Sequence, residues 1–198
     1  RYIPLERDTL TLDMEAFEIA VTEASLVCVV HTSNVLGVRN DVERIIELSK
    51  STGNDGEGAF VMIDAAQAAP HERINFVELG CDFLALSSHK MGGPTGIGAL
   101  LVKPEIMATM DPFISGGDMI ETVTLDGSTF QKGPQKFEAG TPRIAEAFGW
   151  HAAINWLSLL DMKEVHEHVS NLARYTATEM SKIPGIKIYG RHDLATCS

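Results

Sequence analysis

The apolar residues of this chain recur in two alternating rhythms. Residues 26–30 (Leu-Val-Cys-Val-Val) and 59–63 (Ala-Phe-Val-Met-Ile) are continuous apolar runs, with the length and character of strands buried in a parallel sheet. Between them, 41–50 places Val42, Ile45, Ile46 and Ser49 at helical spacing on one face. Ahead of the first run, 13–24 reads as a helix with Asp13 positioned to cap it. The second run ends at Asp64; a short helix near 74–79 then leads to a third strand at 82–86. Residues 98–102 predict a fourth strand, and 104–110 a helix begun by Pro104.

Beyond this point the pattern loosens. Gly116, Gly117, Gly127 and Gly133 predict turns and a hairpin within 111–140. Helical spacing returns over 143–160 and 163–183, and Pro184-Gly185 stops the second of these helices. Residues 186–189 (Ile-Lys-Ile-Tyr) read as one more strand, with no later partner in the sequence. A closing strand without a partner points to a chain that is part of a longer fold. Alternating strands and helices predict an α/β architecture of three layers, a mostly parallel sheet with helices on both faces.

Composition narrows the partners. Hydrophobic residues make up 44% of the 198 positions and charged ones 22%, enough for a real core. A formal charge of −11 and a pI near 5.0 argue against nucleic acid or an anionic membrane as the main partner. No apolar run approaches the roughly 20 residues that span a bilayer, and Arg1-Tyr2-Ile3-Pro4 does not begin a secretory signal. Cys28, Cys81 and Cys197 form no CxxC pair, which fits a reducing, cytoplasmic setting. Cys28 and Cys81 occupy apolar strand-like positions and are expected in the core. His71, His151, His166, His168 and His192 show no ligand spacing, and Cys28-x-x-His31 lacks a second pair, so no metal is expected. Asp55 and Glu57 read as part of a solvated loop spanning 53–58.

Ligands of such sheets gather beyond the carboxyl ends of the strands. Asn34 follows the first strand, Asp64 and Gln67 the second, and Ser87, His89 and Lys90 the third. A lysine amine at a strand end can form a Schiff base once it loses its proton. A carboxylate on the neighbouring strand end can keep a pyridinium nitrogen charged, so that the ring serves as an electron sink. Hydroxyl, imidazole and backbone N–H groups around 87–89 can hold a phosphate. The glycine-rich stretch 91–98 is neither GxxxxGK[ST] nor GxGxxG, so a nucleotide site is poorly supported. Taken singly, each residue also has a plainer role: Asp64 and Thr141 as helix caps, Asn34 in a turn, Gln67 satisfying loop backbone, Ser87 and His89 as structural hydrogen bonders.

Together these segments resemble a known family. Ser87-Ser-His-Lys-Met-Gly-Gly-Pro-Thr-Gly-Ile-Gly98 is similar to the cofactor-lysine motif of the class V aminotransferase superfamily, and within it to the group II, or Suf-type, cysteine desulfurases. His31-Thr-Ser-Asn-Val-Leu-Gly37, Asp64-Ala-Ala-Gln-Ala68, Gly116-Gly-Asp-Met-Ile120 and Phe137-Glu-Ala-Gly-Thr-Pro142 agree in order and spacing. The sequence departs from the family pattern where Ala65 and Ser88 replace glycine, Gly92 an aromatic residue and Arg143 an asparagine.

The resemblance implies pyridoxal 5'-phosphate as cofactor, with Lys90 carrying it as a Schiff base and moving the α-proton of the substrate. It implies Asp64 at the pyridine nitrogen, Gln67 at the phenolic oxygen, Ser87 and His89 at the phosphate, and Thr141 at the phosphate of the partner subunit's site. Asn34 would lie near the substrate carboxylate or the ring; the direct role of His31 is less defined. It further implies a homodimer, L-cysteine as substrate, and a sulfur-acceptor protein serving iron–sulfur assembly. By the same resemblance, 1–155 is part of the large cofactor domain of a pyridoxal-phosphate-dependent transferase. Residues 156–198 are then a connecting helix and the start of a small α+β domain. The nucleophilic cysteine and substrate-carboxylate arginine would follow Ser198, and a ring-stacking histidine would precede Arg1. The alternatives are another reaction on the same scaffold (selenocysteine lyase, kynureninase-like hydrolysis, epimerisation, transamination) or a non-catalytic fragment.

Overall fold

The computed structural model describes residues 1–53 and 58–190. Asp55, Glu57, His192 and Cys197, and with them most of the 53–58 loop, lie outside the described residues.

Four strands form the central sheet: β1 (Leu26–Val30), β2 (Phe60–Asp64), β3 (Phe83–Ser87) and β4 (Gly98–Val102), side by side in that order. β1–β2 and β2–β3 are parallel, and β3–β4 is antiparallel. The connection from β1 to β2 runs through α2 (Val42–Thr52), and that from β2 to β3 through the one-turn α3 (Phe76–Leu79). This is the mixed, mostly parallel α/β sheet that the alternating pattern predicts.

Local chemistry sets the helix starts. Asp13 accepts the Ala16 N–H at 2.9 Å to open α1 (Met14–Val21), and Asp41 accepts the Arg44 N–H at 3.0 Å to open α2. Each cap satisfies an amide that the helix itself cannot. The buried face of α2 is Val42, Ile45, Ile46 and Ser49, the set its periodicity predicts. Ile45 packs with Phe17 and Val21 of α1 and with Val27, whereas Val42 and Ile46 pack with Val61, Ile63 and Leu84. Truncating a core residue such as Ile45 to alanine should cost about 2–5 kcal/mol.

Strand alternation sends the neighbouring residues to the opposite face. Leu26 and Phe60 are 52% and 49% exposed there. Cys28 shares that face and is exposed, so it is not the core residue expected of it. An apolar run does not reveal which face of a sheet lies open. Cys81, by contrast, is fully buried.

After β4 come α4 (Pro104–Thr109), the hairpin β5 (Ile120–Val123) and β6 (Ser128–Phe130), and the long helices α5 (Ile144–Leu157) and α6 (Met162–Ser181). The strand expected at 186–189 does not form: these residues carry no regular secondary structure and join neither described sheet. A strand exists only by hydrogen bonding to a neighbour, and none of the described strands lies beside it. No helix among the described residues is long and apolar enough to cross a membrane.

Candidate active site

The candidate residues collect where β1, β2 and β3 end. In β2, alternation turns Ile63 into the core and Asp64 out of it. The register pairs Val30 with Asp64 and Asp64 with Ala85. Partners in register share a face, and so do residues two apart. Asp64 and Ser87 therefore stand on the same face, opposite the α2 core, at adjacent strand ends. The backbone fixes this edge: the His31 N–H donates to the Asp64 carbonyl at 2.8 Å, and the Ala65 N–H to the Ala85 carbonyl at 3.0 Å. One Asp64 carboxylate oxygen accepts the Ala66 N–H at 3.0 Å. The exposed carboxylate makes no ion pair among the described residues.

Lys90 follows on a 3-10 turn, Ser88–Met91, that starts where β3 stops. Gly92 closes the turn with φ +76°, a left-handed conformation that a β-carbon disfavours. An aromatic side chain at this position would be strained, which explains why the departure to glycine is accommodated. The Gly93 N–H donates to the Ser88 carbonyl at 3.0 Å, and the Ser88 N–H to the Ile97 carbonyl at 3.3 Å.

Helix α5 seats this turn from outside. A β-carbon on Gly93 would stand 2.3 Å from Ser88 Oγ and 3.1 Å from Trp150 Cδ1, and one on Gly149 would stand 2.6 Å from Pro94 Cγ. Glycine on both sides thus allows the close approach. Ser88 is wholly buried here, and neither its Oγ nor Trp150 Nε1 has a hydrogen-bond partner among the described residues. Ser87 Oγ and His89 Nδ1, which the resemblance assigns to one phosphate, bond each other at 2.9 Å. Lys90 is half-buried and makes no hydrogen bond or ion pair among the described residues.

The remaining candidates lie around this cluster at varying distance. Gln67 is half-buried in the turn that follows Asp64. Asn34 is exposed at the tip of a loop closed by the Thr32–Arg39 bridge and by a 2.9 Å bond from the Ser33 N–H to the Val38 carbonyl. Among the described residues, no hydrogen bond joins Thr141 to Ser87, His89 or Lys90. Thr141 lines a separate cavity of about 480 Å³ with Gly98, Arg143 and Phe148. Nor does Thr141 cap α5, whose N-cap is Arg143 without a side-chain bond.

Two features escaped the sequence reading. Behind the site, Glu72 Oε1 lies 3.5 Å from both His31 Nδ1 and Arg39 Nε. His31 is buried on the face opposite Asp64, and burial pushes its pKa down, an effect that Glu72 opposes and Arg39 reinforces. At the other end of β3, the buried Asp82 carboxylate accepts from Lys50, from Lys103 at 3.0 Å and from the Val61 N–H at 2.7 Å. Burial alone would raise its pKa, but these three donors prevail and hold it below the usual carboxylate range. Isolated acidic residues in sequence carry no mark of such partners; only Asp82's place directly before an apolar run hinted at burial.

The donor set suits a phosphorylated pyridine aldehyde. It offers one uncommitted half-buried amine, a carboxylate without a cation on the neighbouring strand end, and a hydroxyl–imidazole pair beside backbone amides. Among the described residues, no group of three or more His, Cys, Asp or Glu side chains is arranged to hold a metal ion.

Comparison with known proteins gives a consistent picture. The family model for aminotransferase class-V matches residues 1–198. A probable cysteine desulfurase of Halalkalibacterium halodurans is 43% identical over 190 residues, which is 96% of this chain and 45% of that protein. The apo structure of a cysteine desulfurase from Thermococcus onnurineus superposes with a TM-score of 0.87 at 36% identity, covering 100% of this chain and 48% of that one. An Escherichia coli cysteine desulfurase crystallised in an S-sulfonic acid form gives 0.82 at 36% identity, covering 92% of this chain and 45% of that one. The chain thus spans a little under half the length of the relatives it matches.

Proposed function

Because the chain belongs to the aminotransferase class-V family, we propose that it is the cofactor-lysine portion of a pyridoxal-phosphate-dependent cysteine desulfurase of the group II, Suf type. The full protein would convert L-cysteine to L-alanine and pass the sulfur as a persulfide to an acceptor protein for iron–sulfur assembly, acting as a cytoplasmic homodimer. The observation that carries this reading is the placement of Asp64 and Ser87 on one face at adjacent strand ends, with the uncommitted Lys90 in the turn directly beyond. The names of eight relatives, each cysteine desulfurase or probable cysteine desulfurase at 37–43% identity over 90% or more of the chain, support the reaction class.

When bound, pyridoxal phosphate supplies an electron sink for the pair left at the substrate α-carbon. Lys90 would hold the cofactor covalently and, once released by the substrate amine, carry the proton to and from the α-carbon. Asp64 would keep the ring nitrogen protonated; its Ala66 N–H bond fixes the carboxylate's orientation. Gln67 would donate to the phenolic oxygen. Ser87 and His89, already paired, would receive the phosphate with the backbone amides of the Lys90 turn. Asn34, on its closed loop, would meet the substrate carboxylate or the ring. Thr141, set apart on its own cavity, would serve the phosphate of the partner subunit's site. In domain terms, 1–155 would be part of the large domain and 156–198 a connecting helix and the beginning of a small one.

Neither described cysteine suits the persulfide role: Cys81 is buried in the core, and Cys28 lies within β1 rather than at a strand end. The sulfur-accepting thiol would come from elsewhere in the full protein.

The test is spectroscopic. Full-length protein with pyridoxal phosphate should develop an absorbance band at about 410–430 nm, which Lys90→Ala should abolish. It should then release alanine from L-cysteine. A folded protein that gives no band refutes the cofactor reading; a band without alanine points to another reaction on this scaffold.

A further inference from the structure

Two segments carry the candidate ligand-facing groups on β1 and β2. The loop 32–39 bears Asn34 at its tip, and the turn 64–72 bears Asp64 and Gln67 at its start. Hydrogen bonds within each segment define its shape. The loop is closed by the Thr32–Arg39 bridge, and Ser33 Oγ accepts the Leu36 N–H at 3.2 Å. The turn is closed by the Ala69 N–H to the Ala65 carbonyl at 2.9 Å and the Glu72 N–H to the Ala68 carbonyl at 3.1 Å.

Among the described residues, the Glu72 side chain joins them. Glu72, at the far end of the turn, directs one carboxylate oxygen to both His31 Nδ1 and Arg39 Nε, each at 3.5 Å. His31 and Arg39 are the two limbs of the loop's base. His31 Nδ1 also lies 3.3 Å from Thr32 Oγ1, so the imidazole meets a hydroxyl of the loop and the Glu72 carboxylate together. The Arg39 guanidinium continues to Glu43 on α2 at 3.1 Å. His31 is 2% exposed, while the Glu72 and Arg39 side chains are 25% and 33% exposed, so the link joins a buried imidazole to partly solvated charges. The His31 backbone N–H in turn holds the Asp64 carbonyl.

We infer that Glu72 is a positioning residue: by tying both limbs of the Asn34 loop to the Asp64 turn, it fixes the spacing of Asn34 relative to Asp64 and Gln67 on the open edge of the sheet. Glu72 touches neither cofactor nor substrate. Its removal lets two well-formed segments move against each other without dissolving either. This inference rests on the cofactor reading above.

The experiment uses full-length protein, with pyridoxal phosphate binding followed by absorbance at a temperature where circular dichroism shows every variant folded. Glu72→Ala should weaken pyridoxal phosphate binding about tenfold, and Glu72→Gln, which keeps an acceptor oxygen, should retain most of the affinity. Adding Arg39→Ala to Glu72→Ala should cost little further, because Glu72→Ala already removes the Arg39 link. In protein without pyridoxal phosphate, amides of 32–39 and 65–69 should exchange faster in Glu72→Ala, while those of α1 stay protected. Should Glu72→Ala not fold, Arg39→Ala decides in its place. Unchanged affinity in the folded alanine variant, or loss with Gln equal to loss with Ala, overturns the inference. Lys90→Ala separates the two readings. If it loses the absorbance band while Glu72→Ala binds like the wild type, only the role of Glu72 falls. If Lys90→Ala retains the band, the cofactor reading falls with it.

Discussion

Ser87 Oγ and His89 Nδ1 stand 2.9 Å apart, bonded to each other at the start of the turn that carries Lys90. The pair orients a hydroxyl and an imidazole before any phosphate arrives, which lowers the ordering cost of binding one. Ser87→Ala removes one member and leaves the imidazole free to rotate. Hydrogen bonds to charged groups contribute about 1.5–3 kcal/mol, so pyridoxal phosphate should bind at least about tenfold more weakly. Absorbance titration of the variant checks this, and an unchanged dissociation constant removes Ser87 from the phosphate site.

Gly93 should not tolerate a side chain. Its missing β-carbon leaves the space that Ser88 Oγ and Trp150 Cδ1 border at 2.3 and 3.1 Å. Gly93→Ala should lower stability by about 1–3 kcal/mol through overpacking. Ser88→Gly, which restores the residue usual in the family motif, should relieve most of that loss in the double variant. Thermal denaturation of the two single variants and the double one tests the cycle. Additive losses would mean that the two positions do not share this space.

Much of the frame was legible because each strand is a short apolar run bounded by polar or turn residues, and each helix shows its period. The bounds of β1 and β4 and the buried face of α2 follow directly from these patterns. The residues at the ends of β2 and β3 were legible as a set, since a parallel register brings successive strand ends to one edge. Three things were not. Which face of the sheet lies open depends on what else covers it, so Cys28 was misplaced. The strand expected at 186–189 depends on a neighbour and not on its own composition. The Glu72 and Asp82 contacts link residues 21 to 41 positions apart, between elements whose packing no local pattern encodes.

Cys81 should be inert in the folded protein. Burial, together with the charge of neighbouring Asp82, pushes its thiol up to about 11, and it is fully enclosed in the core. Thiolate fraction and access both control alkylation. Iodoacetamide at neutral pH should therefore label Cys28 and spare Cys81 until denaturant is added. Mass mapping of the labelled peptides checks this; rapid native labelling of Cys81 would show that this core opens readily.

Asp82 should dominate the acid limb of stability. It joins α2 through Lys50, β2 through the Val61 N–H and the residue before α4 through Lys103. Its folded pKa lies below the ordinary value of 3.8, so between the two the unfolded chain binds more protons than the folded one. Stability from this group is then fully present above pH 3.8 and is lost as the pH falls through the folded value. Asp82→Asn should flatten the decline in that window and lower stability at neutral pH. Because both lysines are about one-third exposed, the neutral-pH loss for Asp82→Ala should be about 2–4 kcal/mol, under that of a fully enclosed pair. Urea denaturation from pH 3 to 7, read by circular dichroism, distinguishes the cases (a working range of roughly that span, set by ordinary carboxylate titration). Parallel curves for the wild type and Asp82→Asn would mean that other carboxylates, and not this one, carry the acid sensitivity.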